Sequence, residues 1–218
     1  MSHIPILFED GEALVINKPS GLPIERPRRG GASLEDHFEE LKLGFQRAPM
    51  PVHRIDTDTS GCLLLARNAK ALKRFAKAFE ERLVEKRYLG VLSGVPADSE
   101  GTIELSLSKI SSAEKGWRMI AAKKGKPSIT HWRVLAEHGG HTLVEFRPET
   151  GRTHQIRVHC QAGLNLPLLG DPVYGNGKGA PRTMLHAAAL TVPRTGKPPI
   201  DAAASLPRDF AALGFADG

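Results

Sequence analysis

The chain has little of several features that define whole classes of protein. Only Cys62 and Cys160 are cysteines among 218 residues, so there is neither a disulfide framework nor a Cys-x-x-Cys zinc or redox motif. No apolar run approaches the roughly 20 residues of a membrane helix, and the first residues lack a signal-peptide pattern. These absences predict a soluble protein of the reducing cytoplasm with no membrane partner.

Motifs that would hold a metal or a nucleotide cofactor are also missing. His154 and His159 do not form His-Glu-x-x-His, and no acidic ligand stands at a matching spacing. The glycine-rich string at residues 175–179 lacks the first glycine and the Ser or Thr of a Walker A loop. We therefore expect no metal and no cofactor.

Short strand patterns separated by turns dominate the chain. Strands are predicted at residues 4–8, 13–17, 62–67, 86–92, 102–107, 128–136, 142–147 and 185–192. Helices are predicted from Ser33 to near Gly44, after Asn68, and at residues 153–161. Because neighbouring strands follow one another, with a clear hairpin signal at residues 138–141, we expect an α+β fold with a mixed, largely antiparallel sheet. The length fits a single domain over residues 1–218.

The helix after Asn68 has the clearest periodicity. Lysines and Glu80 lie on one side of it, and the apolar residues recur at helical spacing on the other. The apolar set consists of Leu72, Phe75, Ala76, Phe79 and Leu83. This pattern predicts a core-facing helix rather than a ligand-binding face.

The most informative stretch reads H-R-I-D-T-D-T-S-G from His53 to Gly61 and places Asp56 just before an apolar strand. Taken alone, Asp56 is most simply a surface carboxylate paired with Arg54. Four further strings follow in order: K-R-Y-L-G at 86–90, P-E-T-G-R-T-H-Q-I-R-V-H at 148–159, G-D-P-V-Y-G at 170–175 and M-L-H-A at 184–187.

Together these strings resemble the RluA-type pseudouridine synthases, which convert uridine in RNA to its C-glycoside isomer. The resemblance covers residues 6–193 and leaves a tail, 195–218, rich in Pro and Ala. It is a resemblance to a compact member, without the N-terminal S4 RNA-binding domain of many relatives. It implies the pseudouridine synthase fold, with a curved sheet, flanking helices and a central catalytic cleft.

The resemblance also implies roles for five residues. Asp56 matches the nucleophile, which acts by covalent attack or by deprotonating the sugar, and Arg157 matches a buried cation that keeps it ionised. Tyr88 matches the ring that stacks on the flipped-out base, and Arg54 the residue that enters the vacated space. Leu185 matches an apolar residue packed on the uracil. An ordinary core role for Tyr88 or Leu185 remains the alternative.

Three other residues of these strings are assigned to structure. Asp171, Tyr174 and Arg152 lie near turns at Gly170 and Gly175, and turn geometry explains them without chemistry.

Positive charge supports a polyanionic partner. The net charge is +6, and residues 109–133 hold seven Lys and Arg against one acidic residue. A solvated loop between strands is the simplest interpretation, and such a loop also suits contact with the RNA backbone through Lys123, Lys124 and Lys126. Whether Trp117 and Trp132 meet a base or pack in the core stays open.

The sequence therefore predicts an RNA pseudouridine synthase, a cofactor-free isomerase that acts as a monomer on ribosomal RNA, transfer RNA or both. The alternative is a non-catalytic RNA-binding or ribosome-assembly factor on the same fold. That alternative predicts loss of the motif Asp, Tyr or Arg, and all three are present as Asp56, Tyr88 and Arg157.

Overall fold

A computed structural model describes residues 3–112 and 116–216, which divide into two compact units. Unit 1 comprises Met1–Lys86 and Ala187–Ser205, and unit 2 comprises Arg87–His186 and Leu206–Gly218. The single domain over residues 1–218 stays a prediction. Within the described residues, no helix is long and apolar enough to cross a membrane.

Unit 1 is a sheet with one helix against it. Its elements are β1 (Ile6–Glu9), β2 (Ala13–Lys18), β3 (Met50–Pro51), β4 (Ser60–Ala66), α1 (Ala69–Glu80), most of β10 (Leu185–Val192) and β11 (Ile200–Ala203). The strands lie in the order β1, β2, β4, β10, with β3 beside β4 and β11 beside β10. β2 pairs with β1 and β4 in antiparallel register, as the strand patterns predict. A core of buried residues from β2, β4, α1 and β11 joins these elements.

Helix α1 begins as predicted, and Leu72, Phe75 and Phe79 of the predicted face pack into the core. The Asn68 side chain accepts a hydrogen bond from the Ala71 N–H at 2.9 Å, which caps the helix. The buried residues include Phe75, whereas the predicted core residue Leu83 is 53% exposed. The helix ends at Glu80, and Arg82 turns the chain with φ 59°, so helical spacing no longer applies to Leu83.

The helix predicted from Ser33 to near Gly44 is absent. Two short 3-10 helices, Leu34–His37 and Glu40–Lys42, take its place, and Leu43 ends the second with φ 50°. The expected cap is partly present, because the Ser33 N–H donates to Asp36 Oδ2 at 2.9 Å. Each short helix buries one leucine, too little apolar surface to stabilise a regular helix.

Unit 2 is also built mainly from antiparallel strands. Its elements are most of β5 (Glu85–Leu92), β6 (Glu100–Ser112), β7 (Gly116–Ala121), β8 (Lys126–His138), β9 (His141–Pro148), α2 (Gln155–Gly163), the first residues of β10 and α3 (Arg208–Ala211). The strands lie in the order β5, β9, β8, β6, β7. The hairpin is confirmed, since His138 pairs with His141. Ile156 and Cys160 of α2 pack against this sheet in one buried cluster.

The loop interpretation of the basic segment is confirmed only for the turn at Lys123 and Lys124, because most of the segment forms strands. Lys109 lies in β6, Lys123 and Lys124 form the turn after β7, and Lys126 begins β8. Glu114 and Lys115 lie outside the described residues. Backbone pairing with β6 satisfies β7 and β8, so the exposed lysines do not prevent strand formation.

The two tryptophans differ in their environment. Trp132 is 6% exposed and belongs to the core of unit 2, whereas Trp117 on β7 is 48% exposed. The sequence left the environment of both residues open. Trp132 packs in the core, whereas Trp117 has an exposed ring.

Candidate active site

Asp56 lies where the sequence placed it, in a turn that leads into a buried strand. The Thr59 N–H donates to the Asp56 carbonyl at 3.0 Å, and β4 begins at the next residue, Ser60. Asp56 is half-buried and Arg54 is exposed. The turn therefore gives the backbone of Asp56 a defined conformation.

A buried lysine stabilises this turn through hydrogen bonds. Lys18 is fully buried, and its Nζ donates to the carbonyl oxygens of Pro19 at 2.7 Å, Leu22 at 2.9 Å and Thr57 at 2.9 Å. Such hydrogen bonds from a charged donor are stronger than neutral ones. Lys18 thereby ties the segment after β2 to the residue that follows Asp56.

Two further bonds join the same segments. The Gly21 N–H donates to the Thr57 carbonyl at 2.9 Å, and Ser20 Oγ donates to the Asp58 carbonyl at 2.7 Å. All of these contacts use main-chain oxygens of the turn, so they hold the backbone that carries Asp56 without using its carboxylate. No sequence pattern indicated this role for residues 19–21.

Gly61 explains why the T-S-G string ends in glycine. Its φ is 106°, and a Cβ atom there would lie 2.2 Å from the Ala187 carbonyl oxygen. No other residue fits without moving the β10 backbone. Gly61 therefore has a structural role, because it allows β4 to lie close to β10.

His53 anchors the beginning of the motif. Its Nε2 accepts the Leu64 N–H at 3.1 Å, and its ring stacks on Phe79 with centroids 4.6 Å apart. Burial, assisted by the positive charge of Lys86, lowers the pKa of His53 to about 3. The ring is therefore neutral with its proton on Nδ1. Its contacts with Leu64 and Phe79 hold His53, the residue that precedes Arg54, in place.

A surface pocket of about 290 Å³ lies in unit 1 beside Arg54. Its lining residues are Ile24, Glu25, Glu35, Phe38, Pro51, Val52, His53 and Arg54. The two glutamates disfavour a phosphate there, whereas the apolar residues and the guanidinium suit a planar base.

In unit 2, Arg157 forms a buried two-pronged ion pair with Asp171. Nε lies 2.7 Å from Oδ2 and Nη2 lies 2.9 Å from Oδ1, with side-chain exposures of 8% and 0%. Burial opposes ionisation of Asp171, but the Arg157 guanidinium and two backbone N–H groups hold its pKa below the usual value. The pair fixes the orientation of the guanidinium plane.

The assignment of Asp171 to a turn was therefore incomplete. Its Oδ1 does accept the N–H groups of Val173 and Tyr174, at 2.9 Å and 3.0 Å, as a turn residue would. The same carboxylate also binds Arg157. The available signal was a full Asp and Arg match in two motif strings, which the turn explanation set aside.

Gln155 organises the loop before α2. Its Oε1 accepts from Thr150 Oγ1 at 2.7 Å and from the Arg152 N–H at 3.0 Å. Its Nε2 donates to the Ile129 carbonyl and to Thr130 Oγ1, both at 3.0 Å. The amide thus joins the loop to β8 and sets where α2 begins, so part of the T-G-R-T-H-Q-I-R string is structural.

Tyr88 and Leu185 come together in unit 2. Tyr88 pairs with Phe146 across β5 and β9, and it packs against the buried cluster that contains Leu185 and Ile156. Tyr88 is half-buried, whereas Leu185 is 4% exposed. The contact of Asp56 with Arg157, and the roles of Tyr88 and Leu185 toward a base, stay predictions.

In the part of the chain that the structure describes, no group of three or more His, Cys, Asp or Glu side chains is arranged to hold a metal ion.

Comparison with known proteins gives these residues a context. The family model described as RNA pseudouridylate synthase matches residues 12–162. An uncharacterized RNA pseudouridine synthase of Zymomonas mobilis is 53% identical over 96% of this chain and 97% of its own. The ribosomal large subunit pseudouridine synthase D of Borreliella burgdorferi is 34% identical, and the match covers 88% of this chain and 62% of that longer protein.

A solved structure supports the fold. Human RNA pseudouridylate synthase domain containing 4 superposes with a TM-score of 0.79 at 27% identity, covering 95% of this chain and 90% of the other. The predicted α+β fold with a largely antiparallel sheet is confirmed. The family resemblance drawn from the motif strings is confirmed as well.

Proposed function

Because the chain belongs to the RNA pseudouridylate synthase family and is an RNA pseudouridine synthase, we propose that Asp56 is the nucleophile of its isomerase reaction. The observation that carries this proposal is the turn at Asp56, which buried Lys18 holds through main-chain oxygens. A nucleophile needs a fixed position, and the held turn gives the backbone of Asp56 one.

The reaction breaks the bond between uracil N1 and ribose C1′, turns the base and joins C5 to C1′. The proton on C5 is released to water, and N1 regains a proton. A carboxylate serves by attacking the substrate covalently or by deprotonating the sugar. No redox change occurs, so side chains and water are sufficient for the balance.

We assign the other roles from the motif matches. Arg157 supplies positive charge that keeps the nucleophile ionised, and its bidentate pair with Asp171 supports the assignment because it fixes the guanidinium. Tyr88 stacks on the flipped base, and Leu185 packs against it. The exposed Arg54 enters the space that the base leaves.

The test is release of tritium from RNA labelled at uridine C5. We expect the unaltered protein to release tritium and Asp56→Asn to lose at least about 1,000-fold in rate while RNA binding persists. Asp58→Asn makes the same chemical change two residues away and should retain the rate. Unchanged release by Asp56→Asn would remove Asp56 from the mechanism, and binding without release by the unaltered protein would favour the non-catalytic RNA-binding alternative.

We propose ribosomal RNA as the first target, with transfer RNA as the second. The name of the Borreliella burgdorferi relative, a ribosomal large subunit synthase, supports this order. The protein then acts in the cytoplasm, where its substrate lies, and as a monomer. Mapping pseudouridines in total RNA of a deletion strain and its parent tests the target, and sedimentation tests the oligomeric state.

Lys123, Lys124 and Lys126 are proposed to contact the RNA backbone. All three are exposed around the turn between β7 and β8. Their replacement by Glu should weaken RNA binding and flatten its dependence on salt, because fewer counterions are released. Replacing Lys70, Lys73 and Lys77 on α1 by Glu matches the charge change elsewhere, and an equal effect of the two sets would contradict a local contact.

A further inference from the structure

Trp117 is an exposed aromatic residue that lies beside a histidine ring and a lysine side chain. Its ring is 48% exposed on β7, and it lies against His154 with centroids 5.0 Å apart and 30° between the planes. The Lys109 ammonium group is 5.0 Å from the indole centroid. Proteins bind single-stranded RNA through aromatic faces that lie next to exposed cations.

Tyr174 holds the His154 ring, against which Trp117 lies, in place. The Tyr174 hydroxyl accepts the Met119 N–H at 3.0 Å and lies 2.9 Å from His154 Nδ1. These two contacts connect the hydroxyl to the β7 backbone and to the His154 ring. The Tyr174 ring in turn lies 5.0 Å from the Arg157 guanidinium. Stacking and hydrogen bonds therefore link Trp117 to the Arg157 region within unit 2.

Strand register shows which side of the sheet Trp117 occupies. Trp117 pairs with Ser111 of β6, and Leu105 of the same strand pairs with Ser128. Residues at even spacing share a face, and Ser128 Oγ bonds to His159 of α2 at 2.8 Å. Trp117 thus points to the α2 side, whereas Ile110, next to Ser111, points to the opposite side.

We propose that Trp117 and Lys109 form a binding site for one unpaired nucleotide of the RNA substrate. The base stacks on the indole, and Lys109 moves from the ring to the adjoining phosphate. The proposal rests on the proposed function, because it takes RNA as the substrate. Such a site accepts any base, since every base has a π face, but it excludes a base that is stacked within a duplex.

The test uses intrinsic fluorescence and a single-stranded oligouridylate of about 12 nucleotides. Trp117 is exposed and Trp132 is buried, so we expect the RNA to quench the unaltered protein. Trp117→Phe retains a stacking ring, so it should lose the quenching and weaken binding about 2- to 3-fold, whereas Trp117→Ala should weaken binding about 10-fold. A melting curve checks that both variants fold.

Controls separate this site from the basic turn and from catalysis. Ile110→Ala alters the same hairpin on its other face and should leave binding unchanged. Lys109→Met should reduce the salt dependence by about one counterion. Binding without quenching, unaltered affinity of Trp117→Ala, or equal quenching by a duplex of the same length would overturn the proposal. None of these readouts needs turnover, so the site can fail while the enzyme still releases tritium.

Discussion

Lys18 in unit 1 and Arg157 in unit 2 are both buried cations, but the groups that receive their hydrogen bonds differ. Lys18 donates to main-chain carbonyl oxygens of three residues, including Thr57 beside Asp56. Arg157 donates through two nitrogens to the carboxylate of Asp171. The first arrangement fixes the shape of a loop, and the second fixes the orientation of a side chain.

The difference follows from the geometry of the two cationic groups. A lysine ammonium group donates hydrogen bonds in several directions from one nitrogen, which suits several carbonyls on converging segments. A guanidinium is planar and matches a carboxylate in a fixed geometry. Unit 1 thus holds the backbone of Asp56, and unit 2 holds the plane of a charged group.

The largest expected effect is the loss of stability when Asp171 of unit 2 is replaced. Asp171→Asn removes the carboxylate that pairs with the buried Arg157, so we expect the free energy of unfolding to fall by about 3 to 5 kcal/mol in urea titrations. Asp209→Asn is a matched control, because Asp209 also binds an arginine through both oxygens but is 26% exposed. The control should lose about 1 kcal/mol or less. Equal losses would show that burial does not distinguish the two pairs.

The second prediction concerns the lysine of unit 1. Lys18→Met removes a buried donor from three carbonyls, so we expect a loss of about 2 to 3 kcal/mol in unfolding free energy. The loosened turn should lower kcat about 10- to 100-fold with little change in RNA affinity. Lys70→Met, on the exposed side of α1, is the control for the same substitution. If kcat were unaffected, Lys18 would stabilise unit 1 without positioning Asp56.

The smallest effect is expected at His53 and depends on pH. The folded state holds the His53 pKa near 3 against an ordinary value of 6.5, so between these values the unfolded chain binds a proton that the folded chain does not. Stability must therefore fall as pH falls from 6.5 toward 3. His53→Gln keeps an acceptor for the Leu64 N–H and has no such proton. We expect about 1 kcal/mol or less of change at pH 7 and a shallower loss in acid. Urea unfolding of both proteins across this pH range measures the difference, and parallel curves would contradict a neutral His53.

Local patterns were sufficient for most of the fold. The hairpin at residues 138–141, the Asn68 cap and the turn before β4 each depend on neighbouring residues, and each is confirmed. The patterns failed where the outcome depends on distant contacts. Leu83 is exposed because the chain turns at Arg82, and the basic segment forms strands because β6 pairs with it.

The candidate residues divide in the same way. Asp56 and Arg157 were identified from motif strings, whose order along the chain is a property of the sequence. The supporting roles of Lys18 and Gln155 were missed because several of their partners are main-chain atoms or lie far away along the chain, whereas Asp171 was assigned only to a turn. A main-chain carbonyl has no identity in the sequence, so no pattern of residues indicates that Lys18 binds three of them.

The sequence by itself determined the family and the positions of most strands, and it indicated Asp56 as the candidate nucleophile, because these depend on residue type and short spacing. Only the tertiary structure decided that Asp171 orients Arg157 and that Trp132 is buried while Trp117 is exposed. Burial and hydrogen-bond partners depend on which segments meet after folding. The same residue type therefore becomes a core side chain at one position and an exposed aromatic surface at another.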